Sequence, residues 1–159
     1  MSINFRELAK EYLGNDLIES YGFRELKKIE DDLSEFAEYS SEHFVVKLVT
    51  YRREIYVTLY KAGNPDEEIN LFNLLNYLNQ KNSTTVESEY FPSETNLEEC
   101  YRKQLKHIAY TVESHFKEIY DFFTCENIEL EYSALEKYML MTYPNLFSRG
   151  STTDDVDDV

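Results

Sequence analysis

Phe5, Leu8, Ala9, Tyr12 and Leu13 open the chain at the i, i+3, i+4, i+7 and i+8 spacing of a core-facing stripe. The pattern predicts an amphipathic helix, and Gly14-Asn15-Asp16 reads as its stop. Leu17 to Tyr21 adds a further helical turn before Gly22. The stretch from Phe23 to Ser40 fits two patterns. Phe23, Leu26, Ile29, Leu33 and Phe36 suit a helix, whereas the Asp31-Asp32 pair and the run Phe36 to Ser41 suit two short strands. A short apolar run is not decided by period alone. The strand reading is favoured because it extends the sheet that follows.

That sheet is announced by two runs dense in β-branched and aromatic residues, His43 to Tyr51 and Glu54 to Lys61. In the second run Ile55, Val57 and Leu59 share one face, and Tyr56, Thr58 and Tyr60 the other. Arg52-Arg53 leaves only a short polar turn between the runs, so they form an antiparallel hairpin. Gly63-Asn64-Pro65-Asp66 ends the second strand. Leu71, Leu74, Leu75 and Leu78 then mark the buried stripe of a helix reaching Gln80, and Lys81 to Thr95 is loop-like.

A capping box, Thr95-Asn96-Leu97-Glu98, starts a long helix over 96–123 whose apolar positions keep the α-helical period throughout. A second box, Ser133-Ala134-Leu135-Glu136, starts a final helix that Tyr143-Pro144 ends. The expected fold is α+β. An antiparallel sheet, the 43–61 hairpin grown to a three- or four-stranded meander from about residue 23, packs against these helices. Residues 1–148 read as one domain. Residues 149–159, with Asp154, Asp155, Asp157 and Asp158 and no base after Arg149, read as a disordered acidic tail.

Charge changes the picture most. Among 159 residues, 31 are Asp or Glu and 16 Lys or Arg, a formal net charge of −15. Fourteen Tyr and 10 Phe give too aromatic a chain for an acidic disordered one, and 4 Gly and 3 Pro are too few for a fibrous one. The negative field opposes direct binding of nucleic acid and of anionic membrane, and it favours a basic protein partner. Cys100 and Cys125 form no C-x-x-C pair and read as buried thiols of a reducing, cytoplasmic setting. Neither a secretory leader nor a membrane-spanning run is expected.

The chemistry-bearing residues do not assemble into a known catalytic pattern. His43, His107 and His115 lack the second half of a metal motif, although His115 and Glu118 make an H-x-x-E pair. Cys100 and His107 share a helix face roughly 10 Å apart along its axis, too far for a thiolate–imidazole pair. The glycines at 14, 22, 63 and 150 build no phosphate loop. Carboxylate pairs such as Asp31-Asp32, Glu67-Glu68 and Glu98-Glu99 come without convergent pocket groups. No catalytic residue, cofactor or metal ligand is therefore assigned.

Interaction surfaces are the remaining candidates. Glu30, Asp31, Asp32, Glu35 and Glu38, together with Tyr39, form an acidic segment carrying aromatic anchors, the composition of a partner-binding surface. Tyr51, Tyr56 and Tyr60 line up with Thr58 on a sheet face that either receives a partner or lies under a helix. The runs Tyr21-Gly22-Phe23, Phe44 to Val49 and Tyr51 to Val57, with the Leu-rich helix 71–78, resemble small uncharacterised bacterial proteins of the toxin-immunity type. The resemblance spans residues 20–80. It implies a small, acidic, cytosolic, non-catalytic protein that plugs a basic toxin domain, and it carries over no residue roles. The expected function is thus an acidic module docking onto a basic protein. An acidic regulator or nucleic-acid mimic is the alternative, and an enzyme the distant third.

Overall fold

The computed structural model describes residues 3–26, 36–82 and 85–144. Within the span read as one domain the chain divides into two compact units, Met1–Thr124 and Cys125–Val159. The acidic tail lies outside the described residues.

In the first unit Asn4 caps helix α1 (Phe5–Ala9), its Oδ1 accepting the Glu7 N–H at 3.2 Å. The expected stop at Gly14 does not occur. The chain passes through one wide π-turn, Lys10–Gly14, and continues as α2 (Asn15–Tyr21). Gly14 has an ordinary helical backbone, so its role is spatial: a Cβ there would stand 2.6 Å from the ring of Tyr39. The helix ends instead at Gly22, whose φ of 73° is left-handed.

Among the described residues the sheet has five antiparallel strands in sequential order: β1 (Arg24–Leu26), β2 (Phe36–Ser40), β3 (Phe44–Tyr51), β4 (Glu54–Lys61) and β5 (Ile69–Asn70). The fold is therefore α+β, and the strand reading holds at β1 and β2. Residues 27–35 between them lie outside the described residues. The strand β5 was not expected, since two residues carry no period of their own. Asn70 leaves it directly to cap α3 (Leu71–Leu78), its Oδ1 accepting the N–H groups of Phe72 and Asn73 at 2.9 and 3.1 Å.

Register sorts the two sheet faces. Tyr39, Val46 and Leu59 lie across one face beside Ala37, Leu48 and Val57, and all six are buried. Helix α4 (Leu97–Ser114) runs against β4 and α1 against β2 to cover that face. Asn96, one residue later than the expected Thr95, caps α4 through its Oδ1 and the Glu99 N–H at 2.9 Å. The expected single helix over 96–123 breaks at His115 (φ −116°, ψ 17°), and α5 (Phe116–Thr124) follows. Thr111 Oγ1 bonds back to the His107 carbonyl at 2.8 Å just before the break. His115 Nδ1 holds Glu118 Oε1 at 2.6 Å just after it. The apolar period runs straight through, with Val112, Ile119 and Phe123 buried, so the pattern alone does not reveal the break.

In the second unit α6 spans Ile128–Thr142. It starts five residues before the expected capping box, which leaves Ser133 and Glu136 inside the helix, and it ends at Tyr143 as expected.

Candidate interaction surface at the hairpin tip

Two residues separate β3 from β4, and a two-residue hairpin that follows sheet twist needs left-handed backbone at both. Glycine or asparagine normally supplies it. Here the positions are Arg52 (φ 50°) and Arg53 (φ 75°). Phe91 (φ 49°) completes the non-glycine residues of positive φ among the described residues. All three meet at this tip, for the Cys100 Sγ lies 3.4 Å from the Tyr90 carbonyl, 3.7 Å from that of Phe91 and 4.0 Å from that of Arg53.

Helix α4 clamps the turn from behind. Gln104, 1% exposed, accepts the Ile55 N–H through Oε1 at 2.8 Å and donates from Nε2 to the Arg53 carbonyl at 2.7 Å. The Arg53 guanidinium donates to the Glu94 carbonyl. Lys103 Nζ meets Glu94 Oε1 at 2.8 Å, and that bond first, with the Asn96 backbone second, holds the Glu94 carboxyl below the usual carboxylate range. Strain concentrated at one place and held rigidly is typical of functional sites.

What the clamp presents to solvent is aromatic. Tyr51, Tyr56 and Tyr90 are 57%, 40% and 46% exposed. The Arg52 guanidinium lies over the Tyr51 ring, 5.2 Å from its centroid. Tyr56 donates its hydroxyl to Glu54 Oε1 at 3.2 Å. Partial burial, then that bond, then the charge of Glu54 and the neighbouring Tyr51 and Tyr90 raise the Tyr56 pKa. Tyr and Arg are the residues that most often carry binding energy at protein interfaces.

The expected tyrosine stripe therefore splits. Tyr51 and Tyr56 stay open, while Tyr60 is buried and donates to Glu38 Oε2 at 2.9 Å. Thr58 Oγ1 and Lys47 Nζ both bind Glu68, each at 2.9 Å. The acidic segment expected as the partner surface is corrected at two positions. Glu38 is 2% exposed beneath that bond, and Tyr39 is fully buried on the opposite face against Gly14. Strand alternation puts them on different faces, and packing on each face removes them from solvent. Glu30, Asp31, Asp32 and Glu35 lie outside the described residues.

The histidines serve the scaffold. Glu118, which His115 binds, also accepts from Asn79 Nδ2 at 3.0 Å, tying the end of α3 to the start of α5. His107 bonds the Glu87 carbonyl at 2.8 Å through Nε2 and stacks on Phe72. His43 stands edge-on to Tyr120. Among the described residues no three His, Cys, Asp or Glu side chains are grouped to hold a metal ion, and no helix is long and apolar enough to cross a membrane. On the α2 and α4 surface, Asp16 hydrogen-bonds the Glu113 carboxyl and holds its pKa above the ordinary value.

Sequence reasoning put Tyr51 and Tyr56 on one sheet face, but it did not place Tyr90 beside them and did not find Gln104 or the strain. The signal for the turn was its length of two residues. The signal for Gln104 was a polar side chain beside the apolar positions 101, 105 and 108. No protein-family model, curated protein or solved structure matches this chain.

Proposed function

We propose that this chain is a protein-binding module of the immunity or inhibitor kind that docks onto a basic partner protein and performs no catalysis itself. The observation that carries the reading is the tip: three exposed tyrosines and an arginine on a turn fixed by strained backbone and a buried clamp. A surface ordered before it binds loses little conformational freedom on docking. The net charge of −15 then selects the sign of the partner, by steering a cationic surface into encounter. A reducing, cytoplasmic setting belongs to the same reading, and the buried Cys100 thiol, which is in no disulfide, supports it.

The test is affinity capture at low and high salt from cells that express the chain, using wild type and the double variant Tyr51→Ala/Tyr56→Ala. A captured protein of high pI, released by salt and missing from the double-variant sample, is expected. Identical captures by the two baits would overturn the reading.

A further inference from the structure

The tip holds aromatic rings in two different states. Tyr51 already carries a guanidinium on its face, that of Arg52. Tyr56 and Tyr90 are exposed, yet among the described residues no lysine or arginine lies over either. Glu54 stands beside Tyr56 and accepts a hydrogen bond from its hydroxyl, so a carboxylate oxygen sits at the margin of an exposed ring. A ring face attracts a cation through its quadrupole, and an adjoining carboxylate adds a charge-assisted hydrogen bond.

We propose that the exposed face of Tyr56, with Glu54 at its edge and Tyr90 alongside, receives a lysine or arginine side chain of the partner. This rests on the reading that the partner is a basic protein, and it names the contact that anchors it. Three features argue for this occupant. The chain carries an excess of 15 negative charges, so the approaching surface is cationic. The Arg52–Tyr51 stack shows that this tip accommodates a guanidinium on a tyrosine face. The Gln104 clamp fixes Glu54 and Tyr56 through their neighbours Arg53 and Ile55, so the receiving geometry exists before the partner arrives.

The experiment titrates the full chain at low ionic strength with an end-blocked hexapeptide of alternating arginine and lysine, followed by amide NMR and by tyrosine fluorescence. Shifts concentrated at Glu54, Tyr56 and Tyr90 are expected. Tyr56→Leu, which keeps apolar bulk on an exposed position, should weaken the peptide about fivefold, Glu54→Gln about threefold, and Tyr56→Phe less than either. Amide spectra of the variants establish that each is folded. Equal affinity of wild type, Tyr56→Leu and Glu54→Gln would overturn the proposal while leaving a basic partner in place. Absence of peptide binding to wild type would overturn both.

Discussion

The side-chain amide of Gln104 meets the backbone N–H of Ile55 at 2.8 Å and, through its other atom, the carbonyl of Arg53 at 2.7 Å. It offers β4 the acceptor and donor that the peptide of a neighbouring strand would offer, at a place where β5 does not reach. Beyond the turn β5 pairs only with Thr58 and Leu59. One side chain from a helix thus completes the ladder and locates the tip at once.

Replacing Gln104 with leucine should therefore be costly despite its conservative volume. One buried and one part-buried backbone group lose their partners, a loss of about 2–4 kcal/mol. Urea unfolding checks the figure, and exchange of the Ile55 amide should quicken in the variant. A loss near zero would mean that water or a relaxed backbone replaces the amide.

Two buried tyrosines on opposite sheet faces should respond oppositely to losing their hydroxyls. Tyr39 Oη has no hydrogen-bond partner among the described residues, and burial first, then Glu25, raises its pKa. Tyr39→Phe should leave stability unchanged or raise it by up to about 1 kcal/mol. Tyr60→Phe withdraws the 2.9 Å bond to buried Glu38 and should cost about 1.5–3 kcal/mol. Thermal melts of the two variants in one buffer decide it, and equal effects would contradict the assignment.

Much of this fold is legible in the sequence where a period and a boundary agree. The β3–β4 hairpin and α3 are written in alternation and in leucine spacing, and their ends fall within two residues of the expected ones. The failures share a cause, which is that tertiary contact reassigns a local signal. Gly14 looks like a helix stop but is a gap filled by Tyr39. Glu38 and Tyr39 look like a surface pair until five-strand pairing places each under a neighbour. Ser133 looks like a cap and lies within α6. Of the tip, the tyrosines on β3 and β4 were visible. Tyr90 was not, because only the packing of Cys100 brings it there.

The turn itself should be improvable. Arg52→Asn with Arg53→Gly puts residues suited to left-handed backbone where two arginines now sit. Relief of strain exceeds the lost bond from Arg53 to the Glu94 carbonyl, and the double variant should gain about 1–2 kcal/mol. Differential scanning calorimetry checks the gain. A destabilised variant would show that the arginines contribute more to the fold than their backbone strain removes.

Acid pairing on α2 and α4 gives a pH dependence of definite sign. Hydrogen bonding from Asp16, then desolvation, then the Asp16 charge raise the Glu113 carboxyl above its ordinary 4.5. A raised folded pKa means the folded state holds the proton more tightly, so this contribution is present in full below 4.5 and is lost as pH climbs through the raised value. Glu113→Gln should melt close to wild type near pH 4 and above it near pH 7. A melting difference independent of pH would show that the two carboxyls do not interact in solution.

The rims of the sheet set a boundary on how this protein can be approached. Among the described residues one outer strand is three residues long and the other two. A foreign chain laid along the two-residue strand would form too few ladder bonds to stay. Main-chain addition finds little to build on along that border, which puts the weight on side chains, and above all those of the β3–β4 turn, as the means by which another molecule can be held.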